Sequence, residues 1–260
     1  MSLDHASKIV KHQTLTRDAF LGGRLIVSQP GNGFRAGLDS VLLGAAVRET
    51  ATALLDLGCG VGTAGLVAMA LNPPLDAALI DSDPEATALA ALNLAENGLA
   101  ERGRVLPLDV TAPGRLRAEA GLPADHFSAV IANPPYFDPG AGTRAAPARE
   151  AARHMGPELL DRWVKTAATH AAPGGEVIFI HAAASLGPLL GAFEARFGAV
   201  TILPLGPRAG EPATRILVRG TKGSRAPTRL LASRALHGAS GRDFVPEFEA
   251  IFRGDGRLHW

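Results

Sequence analysis

The stretch Leu54-Leu55-Asp56-Leu57-Gly58-Cys59-Gly60-Val61-Gly62-Thr63 constrains the fold of this chain more than any other part of it. An apolar strand runs straight into a glycine-rich turn, and Thr63 to Ala70 then reads as a helix. Glycines permit a tight turn and a close backbone approach, and the first N–H groups of the helix stay available to a ligand. The same alternation continues downstream. Strand and helix pairs are predicted at Ala53–Asp56 with Thr63–Ala70, Asp76–Ile80 with Pro84–Asn97, and Val105–Leu108 with a short helix near Arg115. The run Phe127-Ser128-Ala129-Val130-Ile131-Ala132 reads as a buried strand. A helix from Glu158 to His170, a strand at Glu176–Ile180, a helix over about Leu186 to Phe197 and a hairpin of Val200–Leu203 with Arg215–Val218 follow. Alternation of this kind predicts an α/β, doubly wound sheet with helices on both faces.

Upstream, a strand is expected at Arg24 to Ser28, then a hairpin or sharp loop at Gln29-Pro30-Gly31-Asn32-Gly33, then an apolar helix capped by Asp39 and running to Val47. This divides the chain into an N-terminal cap over 1–48 and a main domain over 49–260 with a basic C-terminal segment. A loop rich in Gly, Pro and Ala is expected from Asp138 to Gly156.

Gly60-Val61-Gly62-Thr63-Ala64-Gly65 satisfies the GxGxxG pattern. Asp81 ends the next strand 21 positions after Gly60, close to the spacing of about 20 expected for an acid that binds ribose hydroxyls. A nucleoside site results, which suits NAD or S-adenosylmethionine. Asp56 favours the second, because a carboxylate before the glycines repels a pyrophosphate and attracts an amino group. Asp109, at the end of a further strand, is placed to read an adenine edge. Asn133-Pro134-Pro135-Tyr136 closes the buried strand at 127–132. The two prolines end that strand and hold the backbone extended. An amide side chain, a carbonyl and an aromatic ring are thereby fixed at a strand's carboxyl end, where open α/β sheets bind ligands. The set suits a planar substrate bearing an NH2 group.

Asp56-Leu57-Gly58-Cys59-Gly60-Val61-Gly62, Asp81, Asp109 and Asn133-Pro134-Pro135-Tyr136, taken in that order, resemble the motif series of class I S-adenosylmethionine-dependent methyltransferases that act on amide or exocyclic nitrogen. The series spans roughly residues 50–220. At the N-terminus, Phe20-Leu21-Gly22-Gly23-Arg24-Leu25, Gln29-Pro30 and Gly33-Phe34-Arg35-Ala36-Gly37-Leu38-Asp39-Ser40-Val41-Leu42-Leu43 resemble the bacterial tRNA adenine-N6-methyltransferases that modify position 37 of a valine tRNA. Arg215-Ile216-Leu217-Val218 with the basic stretch after it is similar to that family too. The resemblance implies a Rossmann-like methyltransferase sheet, mostly parallel with its last strand antiparallel. It implies a cofactor site of Asp39, Asp56, Gly58, Gly60, Gly62, Asp81, Ser82, Asp109, Val110 and Asn133, and a catalytic set of Asn133, Pro134, Pro135 and Tyr136. Substrate contacts are expected from Tyr136, Phe137, Arg144, Arg149, Lys222 and Arg225. Related enzymes with the same motif act on DNA adenine, ribosomal RNA guanine and protein glutamine. The acceptor is therefore expected to be tRNA adenine N6, with ribosomal RNA, protein glutamine or a small molecule as alternatives. A module that binds RNA and has lost activity is a further alternative, opposed by the intact motifs.

Charge bears on the acceptor. The whole chain carries +1, yet Arg208 to Arg242 contains seven Arg, one Lys and a single acid, Glu211. That segment is about +7 and the remainder about −6, which suggests phosphate contacts. Arg144, Arg149 and Arg153 add to the basic character. Few aromatics lie among these cations, which disfavours extended single-strand stacking and favours structured RNA. A solvated, arginine-rich surface is the alternative. Cys59 is the only cysteine, so no intrachain disulfide forms, and it is read as filler in the turn rather than a nucleophile. No apolar run is long enough to span a membrane, the N-terminus lacks a signal-peptide core, and the eight histidines are scattered without a metal-ligand cluster. A cytoplasmic enzyme with no metal is expected.

Overall fold

The computed structural model describes residues 15–31, 36–135 and 157–260. Tyr136, Phe137, Arg144, Arg149, Arg153 and the expected 138–156 loop lie outside the described residues. The strands are β1 Leu15–Phe20, β2 Leu25–Pro30, β3 Ala53–Leu57, β4 Asp76–Asp81, β5 Gly103–Pro107, β6 Phe127–Ala132, β7 Ala171–Ala182, β8 Phe197–Gly206, β9 Arg215–Lys222, β10 Arg229–Leu230 and β11 Arg234–Ala235. The α-helices are α1 Leu38–Ala45, α2 Thr63–Leu71, α3 Pro84–Glu96, α4 Gly114–Glu119, α5 Pro157–His170, α6 Leu186–Glu194 and α7 Pro246–Arg253.

The main sheet runs β10-β8-β9-β7-β6-β3-β4-β5, with β11 also on β8. Strands β5, β4, β3, β6 and β7 are mutually parallel, and β9 is antiparallel to both β7 and β8. This is the doubly wound sheet expected from the alternation, mostly parallel as the resemblance implied. Parallel pairing requires crossovers, and the helices that supply them cover both faces, so the central strands are nearly continuous apolar runs. Alternate residues divide between two cores. Leu54, Ala129, Ile131, Ile178 and Ile180 meet α1, α2, α3 and α7. Leu55, Leu57, Val130, Ala132, Val177 and Phe179 meet α5 and α6. Burying each such Leu or Ile contributes about 1.5–3 kcal/mol.

The N-terminal elements differ from the expectation in two ways. The hairpin is β1 with β2, paired from Leu15↔Pro30 to Phe20↔Leu25, and its turn is Leu21 to Arg24. It therefore lies upstream of the predicted turn at 29–33, and β1 carries too few apolar residues to have been visible. Asp39 is not the cap of α1: the N-cap is Gly37, with no side-chain bond. Asp39 sits inside the first turn, and its carboxylate accepts from Arg215 instead.

The C-terminal segment, unassigned from sequence, closes the first core. Leu258 N–H donates to the Ala45 carbonyl and Trp260 Nε1–H to the Ala46 carbonyl. Arg257 donates to the Val47 and Leu71 carbonyls. These partners satisfy carbonyls that the ends of α1 and α2 leave without intrahelical donors. Among the described residues no helix is long and apolar enough to cross a membrane.

Candidate active site

From β3 the chain steps to β4 and β5 on one side, then returns to β6 on the other. That reversal is the topological switch point, where open α/β sheets leave a crevice outside the strands' carboxyl ends. β3 and β6 pair directly, with Leu57 opposite Ala132. The glycine turn and Asn133-Pro134-Pro135 thus begin side by side although 75 residues separate them in sequence.

The turn is built on glycine for two separate reasons. Gly58 has φ +67°, and a Cβ there would lie 2.4 Å from the Trp163 ring. Gly60 has φ +54° and no atom within 4 Å of where a Cβ would stand, which leaves room for a ligand against the backbone. Gly62 is the N-cap of α2. Cys59 is buried, its N–H donates to the Ile80 carbonyl, and burial beside Asp56 and Asp81 pushes its thiol pKa well up. A nucleophilic role is disfavoured accordingly.

Two acids adjoin this turn, Asp56 and Asp81, and a third, Asp109, follows β5 on the same side of the sheet. Asp56 is 2% exposed, and its Oδ2 accepts from Gly65 N–H at 2.9 Å. Burial raises its pKa to about 7, the Gly65 amide opposes the rise, and the Asp81 charge adds to it. A cation brought to this carboxylate would restore its ionised form. Asp81 ends β4 and is half-buried; its Oδ2 accepts from Gly60 N–H at 2.8 Å and its Oδ1 from Asp83 N–H at 2.9 Å. Each oxygen retains a further lone pair for a ligand hydroxyl. Ser82 follows, exposed. Asp109 is exposed and holds Thr111 through N–H at 2.7 Å and Oγ1 at 3.0 Å. Val110 is buried, and its carbonyl accepts from Thr166 Oγ1 at 2.9 Å. A buried acid whose ionised form a cation would favour, a half-buried acid with lone pairs to spare and an open backbone turn suit the amino acid and ribose ends of S-adenosylmethionine. No group of residues able to hold a metal occurs among the described residues.

Beside these groups lies a cavity of about 360 Å³, walled by Gly37 to Ser40 on one side and Asn133 to Pro135 on the other. Thr214, Arg215 and Leu236 complete it. Asn133 is half-buried there, and its side-chain amide has no hydrogen bond among the described residues. Arg215 Nε donates to both carboxylate oxygens of Asp39, at 2.9 and 3.0 Å. This pair joins two walls 176 positions apart in sequence. Sequence reasoning placed Asp39 near the site but missed Arg215, Thr214 and Leu236, because nothing local to those residues signals the pairing.

The basic segment is distributed differently from the expectation. The Lys222 ammonium bonds Asp125 and the carbonyls of Ala168 and Ala171. Because β9 is antiparallel to β7, with Thr221 opposite Glu176, Lys222 lies at the edge of the sheet opposite the cavity. Arg225 follows on the same side, exposed and next to Ala226, whose carbonyl holds Ala199. The structure brings neither residue to the site. Arg208 donates to the Gly238 and Gly241 carbonyls, Arg219 stacks 4.4 Å over the Trp260 ring, and Arg234 pairs with Glu247 at 2.7 Å. Much of the apparent positive stripe is therefore occupied inside the fold.

A doubly wound sheet with β9 reversed, a glycine turn after its central strand and an Asn-Pro-Pro motif after the neighbouring one defines the Rossmann-like methyltransferase class. Within it, the model of the methyltransferase small domain matches residues 35–204, and the chain belongs to that family. It is similar to a tRNA1(Val) (adenine(37)-N6)-methyltransferase of Flavobacteriaceae bacterium (strain 3519-10), 34% identical over 49% of this chain and 52% of that protein. A protein of the same description from Dickeya chrysanthemi (strain Ech1591) is 28% identical over 76% of this chain and 77% of that one. The chain thus spans about half the length of the first of these relatives. Among solved structures, a predicted O-methyltransferase, protein Atu636 from Agrobacterium tumefaciens, is 31% identical with a TM-score of 0.71, over 85% of this chain and 98% of that chain.

Proposed function

We propose that this chain transfers a methyl group from S-adenosylmethionine to the exocyclic N6 of an adenine in tRNA, at the anticodon-loop position 37, in the cytoplasm. The observation that carries the reading is Asn133: an amide with no hydrogen bond among the described residues, in a cavity at the end of the strand that pairs with the one leading into the glycine turn. The tRNA relatives support the acceptor class.

When bound, S-adenosylmethionine supplies an electrophilic methyl, so the protein's task is mainly to position the two reactants. Asp56 would hold the cofactor's amino group and Asp81 its ribose hydroxyls, and Ser82, Asp109 and Val110 would border its adenine. The Asn133 side-chain oxygen and the Pro134 carbonyl accept the two hydrogens of the target amino group. Those bonds draw the nitrogen lone pair out of the ring as charge develops. Pro135 holds the motif extended. The sequence assigns base stacking to Tyr136 and a share of the pocket wall to Phe137, both outside the described residues. A base in a loop leaves its stack at less cost than one in a duplex, which favours an anticodon loop.

The test is transfer of labelled methyl to unmodified bulk tRNA, followed by nucleoside analysis. Wild-type protein is expected to yield N6-methyladenosine. Asn133→Ala is expected to lower turnover by about 10²–10³-fold while leaving the cofactor Kd nearly unchanged. Label in another nucleoside, or no label with cofactor binding intact, would refute the acceptor and keep the cofactor site.

A further inference from the structure

The cavity wall at Gly37 to Ser40 faces Asn133, yet it is not part of the sheet that positions Asn133. Its placement is shared among the burial of Val41 to Ala45, the Asp39–Arg215 pair and what holds Ala36, the described residue just before it. Ala36 N–H donates to the Gln29 side-chain oxygen at 2.7 Å. The amide nitrogen of Gln29 donates to Asp18 Oδ2 at 2.9 Å. Gln29 is 1% exposed. A buried primary amide with an N–H at one end and a carboxylate at the other has its orientation determined, since only the oxygen accepts and only the nitrogen donates. The side chain acts as a strut between β1 and the start of the wall.

The neighbouring residue of β2 is tied in the other direction. Asn93 on α3 is fully buried; its oxygen accepts from Ser28 N–H at 2.8 Å, and its nitrogen donates to the Ser28 carbonyl at 3.1 Å and the Val61 carbonyl at 2.9 Å. Asn97, one turn later, repeats the pairing with Ile26, through N–H at 2.9 Å and carbonyl at 2.8 Å. Asn93 on α3 and Asn97 at its C-cap take the place of a second partner strand along the edge of β2 that faces away from β1. Val61 lies within the glycine turn. Two consecutive residues, Ser28 and Gln29, therefore connect the glycine turn on one side and the cavity wall on the other.

We infer that Gln29 is a positioning residue, which sets the Gly37–Ser40 wall against Asn133-Pro134-Pro135, and that the N-terminal hairpin is the frame holding the two halves of the site in register. This rests on the reading of the cavity as the acceptor site. Gln29 touches no reactant; its effect passes through the Ala36 N–H.

The experiment compares four proteins: wild type, Gln29→Ala, Gln29→Glu, and Gln29→Glu combined with Asp18→Asn. Gln29→Ala is expected to lower kcat for tRNA methylation by about 10²-fold, the scale of an ångström-level misplacement, with the cofactor Kd little changed. Gln29→Glu keeps the acceptor for Ala36 but sets a second carboxylate against Asp18, so it is expected to be impaired. The double variant restores the hydrogen bond with donor and acceptor exchanged and is expected to recover most of kcat. Amide hydrogen exchange, which needs no acceptor, is read on all four. Exchange over residues 36–41 is expected to quicken in Gln29→Ala and to slow again in the double variant, while Val61 and its neighbours stay protected. Unchanged exchange at 36–41 in a folded Gln29→Ala protein overturns the inference, as does a kcat equal to wild type. Failure of the wild type to methylate tRNA refutes the acceptor reading alone, and the exchange comparison still decides the role of Gln29.

Discussion

At the carboxyl edge of the sheet, Asp56, Asp81 and Asn133 are held by backbone amides or by their place in the chain, and each keeps hydrogen-bonding capacity for something else. At the amino edge the polar groups answer one another. Glu176 is buried and accepts from Arg48 N–H at 2.9 Å, and Arg48 also reaches the Ser128 and Gly174 carbonyls at 3.0 and 3.1 Å. Arg117 Nε–H donates to His170 Nε2 at 3.0 Å, so the ring proton is on Nδ1, which donates to the Pro123 carbonyl at 2.7 Å. Burial lowers the His170 pKa, which keeps the ring neutral. Lys222 is consumed by Asp125 and two carbonyls. The carboxyl edge holds a satisfied pair too, Asp39 with Arg215. What sets Asp56, Asp81 and Asn133 apart is spare hydrogen-bonding capacity, which a count of charges along the chain does not reveal.

Substitutions break this contrast to different degrees. Beyond the loss of transfer expected for Asn133→Ala, the largest effect is at Asp81. Removing a charged acceptor costs about 1.5–3 kcal/mol, so Asp81→Ala should weaken cofactor binding by about 10–100-fold in calorimetry. An unchanged Kd would remove Asp81 from the cofactor site.

The next effect is a pH dependence at Asp56. Its folded pKa, about 7, lies above the ordinary 3.8. The native state therefore holds more protons than the unfolded chain between those values, and this group's contribution to stability falls as pH rises through that window. Binding of a cationic amine has the opposite preference, because it needs the carboxylate. Cofactor affinity should rise about tenfold between pH 6 and 8, and the rise should vanish in Asp56→Asn. A flat profile in the wild type would mean that the amino group is bound elsewhere.

The smallest effect is at the amino edge. Lys222→Ala should cost about 1 kcal/mol and lower Tm by about 2–4 °C, with the KM for tRNA and its salt dependence as in the wild type. A several-fold rise in that KM would move the RNA-binding surface to the edge opposite the cavity and dissolve the contrast.

Much of the scaffold was legible because its signals are local. The predicted strand at Ala53–Asp56 is β3, the helix at Pro84–Asn97 is α3, and the helix at Glu158–His170 is α5, each within a residue. In these segments apolar patterning, proline at a helix start and glycine after a strand all agree. β1 was not legible, since Leu15-Thr16-Arg17-Asp18-Ala19-Phe20 is exposed or half-buried throughout. The C-terminal strands β10 and β11 are two residues each, too short to show a period. Gln29 and Asn93 were not legible either, since a polar residue in a strand or helix reads as solvent-facing until its buried partners are known.

The sequence by itself determined the doubly wound class, the glycine turn, the acids at strand ends and the Asn-Pro-Pro motif. Each of these depends on backbone geometry and hydrophobic period over a few neighbouring residues. Only the tertiary structure decided that Asp39 meets Arg215, that Lys222 faces away from the cavity, and that Gln29 in the hairpin bonds Ala36 while Asn93 on α3 bonds Ser28 and Val61. Those are pairings between charges and amides far apart in sequence, and a hydrogen bond depends on where its partner lies in space.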